Sequence, residues 1–370
     1  MIPVSKPWLT ELETKYVSEA LSSGWISSNG PFINRFEEKF AEYLGVKHAI
    51  STCNGTAACH IALAACGVGP GHKVAVPAMT FVATANAVAY CGAEVVGIDI
   101  CPKMWNMSAE KLCFEYHDAH KVDFVFLVHL YGNVCDPCVT VGCGGLGKTN
   151  GYTDHGVVLI EDACEALGGS VRGMKAGTMG KAGAFSFFGN KTISTGEGGM
   201  VVTKDDDVAA KARLLRGQGQ TSRYYHEVVG YNYRMTNIQA ALGLAQIERI
   251  KDILAEKQRV YERYEGKIGH LMQMREFRSV PSYWAVTAKV GNPEHVAAAL
   301  AENGIETRRT FYPLNALPMY KNCCPHGAKE SELLRETGLT LPSYPELSNN
   351  EVDVICDLVN SSLDKARNDS

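Results

Sequence analysis

The chain has 370 residues, of which 46% are hydrophobic and 21% charged, a balance that excludes disorder over the whole chain. A net charge of −4 provides no basic stripe for a phosphate backbone, so nucleic acid is not an expected partner. No run of about 18 apolar residues occurs, and charged residues near the N-terminus lie where a signal peptide would need an apolar core. We therefore predict a cytoplasmic protein without a membrane segment.

Apolar runs alternate with helical patterns from about residue 45 to residue 205. The helical segments TAACHIALAACGV and TFVATANAVAYCG separate the first three runs. Strands rich in Val and Ile that alternate with helices predict an α/β fold, with a mostly parallel seven-stranded sheet flanked by helices. The predicted strands are KHAISTC, KVAVPA, EVVGIDI, DFVFLVHL, VVLIEDA, AGAFSFF and GGMVVTK.

The last third of the chain has a different pattern. From Thr236, one long helical pattern runs through NIQAALGLAQIERIKDILAEKQRVYERYEGKIGHL and predicts a helix that leaves the sheet domain. YWAVTAKV, PEHVAAALAENGI and NEVDVICDLVNSSLDKA then predict a compact α+β unit. Because single cores stop growing near about 250–300 residues, we expect a large domain of residues 1–245 and a small C-terminal domain of residues 246–370.

The thirteen cysteines are mostly scattered through apolar segments and are expected to be small buried hydrophobic side chains. One cluster, Cys135, Cys138 and Cys143, could bind zinc if His129 or His155 completed it. A zinc site usually takes four ligands in paired spacings, and this cluster offers three. We therefore predict no metal site.

Residues 142–149, GCGGLGKT, match the phosphate-loop pattern G-x-x-x-x-G-K-T. That pattern requires a helix after the lysine, because the helix N-terminus forms part of the anion site. The residues that follow, NGYTDHG, are typical of turns. A glycine-rich surface loop is therefore favoured over a nucleoside triphosphate site at Lys148.

Residues 186–199, SFFGNKTISTGEGG, contain a lysine in unusual surroundings. Lys191 has no other charged residue within five positions on either side, whereas most lysines lie among charges on solvated faces. The neutral amine of a lysine in an apolar pocket is a nucleophile toward carbonyls. Pyridoxal phosphate (PLP) is an aldehyde that needs such an amine together with a carboxylate, a phosphate cup and a flat group over its ring.

The strand ends and strand-to-helix turns supply these groups. Asp162 ends the apolar strand LIEDA, NGTAA opens a helix, and Ser186 ends a strand five residues before Lys191. Asp162 could instead be an ordinary turn aspartate, NGTAA a plain helix cap and Phe81 a core side chain. Ligands of open α/β folds bind at this edge of the sheet. The candidate cofactor-binding residues are Gly55, Thr56, Ala57, Phe81, Asp162 and Ser186.

Six sequence motifs match a known family, and they occur in this chain in the same order as in that family. SFFGNKTISTGEGG, IEDACEALG, NGTAACHIAL, PAMTFVATANAV, HLYGN and GYNYRMT resemble the DegT/DnrJ/EryC/StrS sugar aminotransferases, which are fold-type I PLP enzymes. The resemblance runs from about residue 5 to residue 345 and implies a homodimer with shared active sites. It also implies transfer of an amino group from L-glutamate, through pyridoxamine phosphate (PMP), to a nucleotide-linked 4-keto-6-deoxy sugar.

The resemblance assigns roles to single residues. Lys191 would bind the cofactor covalently and shuttle protons, and Asp162 would pair with the pyridine nitrogen. Glu165 would lie near the ring. Gly55, Thr56 and Ser186 would hold the phosphate, Phe81 would stack on the ring, Asn232 would reach the phosphate of the neighbouring subunit, and Arg234, Tyr312 and Asn315 would contact the substrate. Asn315 stands where the family often carries His.

A glutamate at position 165 resembles the branch that forms GDP-perosamine. It favours GDP-4-keto-6-deoxymannose as the acceptor, with UDP- or dTDP-4-keto-6-deoxyglucose as the alternative. A PLP-binding relative without transaminase activity is a further alternative. The dehydratases of the family replace the lysine with histidine, however, and Lys191 is present here.

Overall fold

The computed structural model describes residues 1–112, 122–137 and 157–368. Ten α-helices lie wholly within these ranges: α1 Glu11–Ser22, α2 Pro31–Leu44, α3 Gly55–Ala65, α4 Ala83–Tyr90, α5 Asp206–Arg216, α6 Asn237–Glu248, α7 Ile250–Ile268, α8 Pro293–Glu302, α9 Lys329–Thr337 and α10 Asn349–Asn368. The strands are β1 His48–Thr52, β2 Lys73–Pro77, β3 Glu94–Ile98, β4 Phe124–Val128, β5 Val158–Asp162, β6 Ser170–Val171, β7 Met174–Lys175, β8 Ala182–Ser186, β9 Gly199–Thr203, β10 Gln220–Ser222, β11 Tyr225–His226, β12 Ser279–Val280, β13 Val286–Lys289, β14 Arg308–Arg309 and β15 Gly338–Leu341.

The central sheet has seven strands in the order β1-β9-β8-β5-β4-β2-β3. Strand β9 runs antiparallel to both of its neighbours, and the other pairs are parallel. All five residues of β4 are buried apolar side chains, as expected for a parallel strand that is covered by helices on both faces. The predicted fold class is confirmed.

The carboxyl ends of the central strands meet at one edge of the sheet. In the parallel register Val128 lies opposite Asp162, and Asp162 lies opposite Ala184. Strand β8 then ends at Ser186, which is paired with Gly199 of the antiparallel neighbour. The sheet therefore brings Asp162 and Ser186 to the same edge, although they are distant in sequence.

Small residues allow helix α3 to approach this edge closely. A Cβ atom on Gly55 would lie 2.6 Å from Cβ of Ser186, and one on Gly199 would lie 2.4 Å from the Asn54 carbonyl oxygen. Only glycine fits at both positions. The first turn of α3 is consequently held directly against the end of β8.

A second unit is built around the antiparallel sheet β13-β15-β14. Its core is made by apolar side chains of α7, α8, α10 and the sheet, including Val260, Leu300, Leu341 and Ile355. The single long helix predicted from Thr236 is wrong, because the chain forms α6 and α7 with Arg249 between them (φ −100°, ψ 9°). The apolar periodicity continues across this one-residue break, so the pattern alone does not reveal it.

Arg249 anchors the break to the N-terminal segment. Its guanidinium donates to Glu13 Oε1 at 2.7 Å and stacks over the Trp8 ring. These contacts hold the break against the N-terminal segment. None of the helices in the described ranges is both long enough and apolar enough to cross a bilayer.

Candidate active site

A cavity of about 490 Å³ opens at the carboxyl edge of the central sheet, against the N-terminus of α3. Its wall combines residues of the sheet domain with Trp284, Arg308 and Phe311 from the second unit. The candidate residues that it brings together are Gly55, Thr56, Phe81, Asp162, Glu165, Ser186 and Lys191. Seven positions that are scattered along the sequence therefore form one site.

Lys191 lies in the wall of this cavity and is mostly buried, with 14% of its side chain exposed. Its Nζ atom lies 3.6 Å from Glu165 Oε1 and 4.0 Å from the centre of the Trp284 ring. The indole is held in place because Trp284 Nε1–H donates to the carbonyl oxygen of Asn190 at 2.8 Å. The amine thus has one carboxylate neighbour and one aromatic face.

Glu165 is buried beside the lysine. Burial raises the pKa of its carboxyl group, and the Lys191 charge opposes that effect. Its Oε2 atom accepts a hydrogen bond from the Tyr131 backbone N–H at 2.8 Å. Tyr131 adopts a left-handed conformation with φ 54°, which is uncommon outside glycine and indicates a constrained functional turn. The HLYGN motif therefore supplies a backbone donor to the site.

Asp162 is buried and oriented by two hydrogen bonds. Thr84 Oγ1 donates to Oδ2 at 2.7 Å, and the Cys164 N–H donates to Oδ1 at 3.1 Å. Among the described residues, no Lys, Arg or His side chain lies within ion-pair distance of this carboxylate. A buried carboxylate ordinarily has a cationic partner, so the geometry leaves a place for one.

The N-terminus of α3 forms the other end of the cavity. Asn54 Oδ1 accepts from the Ala57 N–H at 2.8 Å and caps the helix. The Ala57 donor is therefore used within the chain, whereas Gly55 and Thr56 carry first-turn N–H groups that have no intrahelical acceptor. With the Ser186 hydroxyl beside them, they form a donor set suited to a phosphate.

Phe81 borders the cavity just before α4. Its side chain is 54% exposed, and its ring centre lies 5.7 Å from that of Phe311. Phe311 in turn stacks on Tyr131, with ring centres 5.2 Å apart. These rings give the cavity an aromatic wall that could cover a flat heterocycle.

Besides Ala57, four candidate residues are not part of the cavity wall in the single chain. Asn232 and Arg234 are exposed, and Asn232 forms a backbone bridge with Gly217. Tyr312 is exposed beneath the Arg335 guanidinium. Asn315 Nδ2 donates to Glu332 Oε1 at 2.7 Å. The roles assigned to these four residues stay predictions.

The cavity also contains residues that the sequence reasoning missed. Thr84 is one of them, and its hydroxyl oxygen lies 2.9 Å from that of Thr80. Trp284 and Phe311 carry no local signal, since they reach the cavity from the second unit. Glu197, whose role the sequence left open, also lines the cavity.

His129 is not free to complete the zinc site that Cys135, Cys138 and Cys143 could form. The Cys135 N–H donates to His129 Nδ1 at 3.1 Å, and His129 Nε2 lies 3.0 Å from Glu161 Oε2. Both ring nitrogens are therefore used in hydrogen bonds. Cys138, Cys143 and His155 lie outside the described residues, as does the phosphate-loop pattern with Lys148.

These features fit PLP. The cavity holds a lysine amine, a buried carboxylate with no cationic partner among the described residues, helix N-terminal donors and an aromatic wall, which are the groups that this cofactor requires. Fold and site together define the class of fold-type I PLP enzymes.

Comparison with known proteins identifies the family. The model of the DegT/DnrJ/EryC1/StrS aminotransferase family matches residues 7–360, and the chain belongs to this family. It is 43% identical over 366 residues to the GDP-perosamine synthase of Caulobacter vibrioides, covering 95% of each chain. It is 42% identical over 367 residues to that of Escherichia coli O157:H7, covering 97% of this chain and 98% of the relative.

A solved structure gives the same result. The PMP form of Spr1654 from Streptococcus pneumoniae superposes with a TM-score of 0.89 at 26% identity, covering 99% of this chain and 100% of that one. The predicted family, enzyme class and PLP cofactor are therefore confirmed.

Proposed function

We propose that the protein transfers the amino group of L-glutamate to the 4-keto carbon of GDP-4-keto-6-deoxymannose and so forms GDP-perosamine. The observation that carries this proposal is the 43% identity, over 95% of both chains, to a protein named GDP-perosamine synthase. Glu165 beside Lys191 supports it, because a glutamate in the motif IEDACEALG resembles that branch of the family.

Lys191 is proposed to move the protons. When bound, PLP would supply an electron sink for the electron pair left behind as a proton leaves the carbon next to nitrogen. The Nζ atom of Lys191 would take that proton from the amino donor and later return one to the sugar carbon. Glu165, 3.6 Å from this amine and with its pKa raised by burial, can hold a proton next to it.

The remaining cavity residues would bind and orient the cofactor. Asp162 would pair with the protonated pyridine nitrogen, held in place by Thr84 and the Cys164 N–H. Gly55, Thr56 and Ser186 would bind the phosphate and Phe81 would cover the ring. Ala57 and Asn232 would complete the predicted phosphate site. The Ala57 N–H donates to the capping side chain of Asn54 and so fixes the first turn of α3, and Asn232 would reach the phosphate from a second subunit.

Substrate binding is proposed for Arg234, Tyr312 and Asn315. Tyr312 directly follows the cavity residue Phe311, and its ring lies 3.8 Å from the Arg335 guanidinium carbon. This segment therefore combines aromatic and cationic groups next to the cavity, a combination that suits a nucleoside diphosphate.

A homodimer with shared active sites is part of the proposal. Asn232 and Arg234 lie outside their own cavity and are exposed, and the neighbouring segment exposes Tyr224 (81%) and Val229 (89%). Exposed apolar patches of this kind mark interaction surfaces. Mixing Asn232→Ala chains with Lys191→Ala chains should restore partial activity, because one site of each mixed dimer carries neither change. Absence of complementation would argue against shared sites.

We also propose that residues 1–245 and 246–370 are separate domains. The C-terminal unit has its own core around Tyr264, Leu339 and Val352, which supports this division. Native-state hydrogen exchange should show the amides of β13 and β15 opening together, with a free energy that differs from that of β4 and β5. One common opening free energy for all four strands would oppose the division.

The acceptor is tested by comparing nucleotide sugars side by side. With L-glutamate as donor, we expect amination of GDP-4-keto-6-deoxymannose to exceed that of dTDP- and UDP-4-keto-6-deoxyglucose in kcat/KM by at least about 100-fold, the scale set by a lost pair of buried hydrogen bonds. Equal rates on all three, or a preference for a dTDP or UDP sugar, would replace the proposed acceptor.

A further inference from the structure

We propose that Cys59, Cys164 and Asp162 form a binding site for a thiophilic divalent cation such as Zn²⁺, which is open when no cofactor is bound. One ligand atom from each of these residues lies within 4.8 Å of the other two. Among the described residues, no other group of three or more His, Cys, Asp and Glu side chains lies close enough to share a metal ion. No local spacing pointed to it, because the two cysteines are 105 residues apart.

The separation of the two sulfur atoms matches a zinc site. Cys59 Sγ and Cys164 Sγ lie 3.8 Å apart. A tetrahedral ion with Zn–S bonds of about 2.3 Å has an S···S edge of about 3.8 Å. A disulfide would require closure to about 2.0 Å. The thiols are therefore already at the spacing of a metal dithiolate.

The third ligand is held at the same point by the backbone. The Cys164 N–H donates to Asp162 Oδ1 at 3.1 Å, so the carboxylate and this thiol belong to one turn at the end of β5. Cys59 approaches from the interior of α3, whose first turn is held against β8. Three ligands that come from two rigid elements make a preorganised site.

Solvent reaches the site through the cofactor cavity. Cys59, Cys164 and Asp162 all line it, so the cavity provides the entry path, and a water molecule or chloride from the cavity could occupy the fourth position of a tetrahedral ion. Binding would release the two thiol protons to solvent. Two thiolates and one carboxylate would then surround a 2+ ion.

Cation and cofactor would exclude each other. The proposed partner of the pyridine nitrogen is the same Asp162 carboxylate, and a protonated nitrogen beside that carboxylate would repel a bound 2+ ion. The cation site itself does not depend on the sugar acceptor or on transamination. Its failure would therefore leave the proposed function intact, and the reverse also holds.

The test is a titration of the full-length chain with Cd²⁺, which reports thiolate coordination by ultraviolet charge-transfer absorbance. We expect one equivalent to bind to protein from which PLP has been removed, and binding to be suppressed by added PLP. Cys59→Ala and Cys164→Ala should each weaken binding by at least about tenfold. Cys59→Ser, which keeps the shape of the side chain but removes the sulfur, should weaken binding to the same extent, and retained PLP binding shows that each variant is folded.

The chain offers a matched control. Cys323 and Cys324 form another close thiol pair, with sulfur atoms 3.6 Å apart, but they do not line the cavity. The double variant Cys323→Ala/Cys324→Ala should bind Cd²⁺ as the unmodified chain does. The proposal is overturned if Cys59→Ala and Cys164→Ala bind as the unmodified chain does, if the control variant loses binding, if PLP has no effect, or if no thiolate absorbance develops.

Discussion

The cofactor cavity and the junction between α7 and the β13-β15-β14 sheet each bury one lysine, and both lysines contact Trp284. Lys191 presents its amine to the cavity, over the Trp284 ring and near Glu165. Lys257 instead donates to two main-chain carbonyl oxygens, those of Trp284 at 3.2 Å and Ser343 at 2.9 Å. Burial lowers the pKa of Lys257 from 10.5 to about 7.

This difference shows that burial alone does not make a lysine a catalytic candidate. The amine of Lys257 is directed at backbone acceptors in a packed junction, so it has a structural use. The amine of Lys191 has an open face toward a cavity of about 490 Å³. Because Lys257 holds the backbone of Trp284, and Trp284 covers Lys191, the junction positions one wall of the cavity.

Removing the cavity lysine gives the largest expected effect. In Lys191→Ala the visible absorbance of the lysine-bound cofactor should disappear, and turnover should fall by about 10⁴-fold, the upper range for a positioned acid–base group. Absorbance spectra and glutamate-dependent amination measure the two effects. Lys257→Met should keep the visible absorbance, and its loss there would contradict the distinction between the two lysines.

The junction lysine should be visible in the pH dependence of stability. Between pH 7 and 10.5 the unfolded chain holds a proton on Lys257 that the folded chain has released, so the stability of the unmodified protein rises with pH in this window. In Lys257→Met this contribution is absent. The stability difference between the two proteins should therefore change by roughly 4 kcal/mol across the window.

Urea unfolding at several pH values between 7 and 10.5 measures this difference. Lys251→Met serves as the control, because Lys251 lies on the same helix with an exposed side chain. Its stability profile should follow that of the unmodified protein. A pH-independent difference between Lys257→Met and the unmodified protein would show that Lys257 is charged in the folded state throughout.

The smallest effect is expected from a residue that touches neither lysine. Thr84→Val removes the hydroxyl that donates to Asp162 at 2.7 Å, a hydrogen bond to a charged group worth about 1.5 kcal/mol. PLP affinity should fall by about tenfold, whereas the cavity and both lysines stay in place. Equilibrium dialysis of PLP against the variant checks this. Unchanged affinity would mean that Asp162 does not pair with the cofactor.

The sequence was informative where a residue type and its local surroundings determine the outcome. Lys191 stood out because its neighbours carry no charge, and Asp162 because it ends an apolar strand. The strands of the parallel sheet are buried on both faces, so their apolar runs could be recognised one by one. For these elements the local pattern and the fold agree.

The sequence was uninformative where the fold joins distant segments. Trp284 and Phe311 reach the cavity only through packing of the second unit, and nothing near them in the sequence indicates a site. The contact between Cys59 and Cys164 depends on how α3 lies on the sheet. The break at Arg249 was missed because its partners, Glu13 and Trp8, lie more than two hundred residues away.

The most direct test of the central claim is one cycle of spectra on the purified protein. Adding L-glutamate should remove the visible absorbance of the lysine-bound cofactor, and adding GDP-4-keto-6-deoxymannose should restore it as the amino group leaves for the sugar. A protein that stays colourless after incubation with PLP, or whose absorbance does not respond to L-glutamate, would contradict the account.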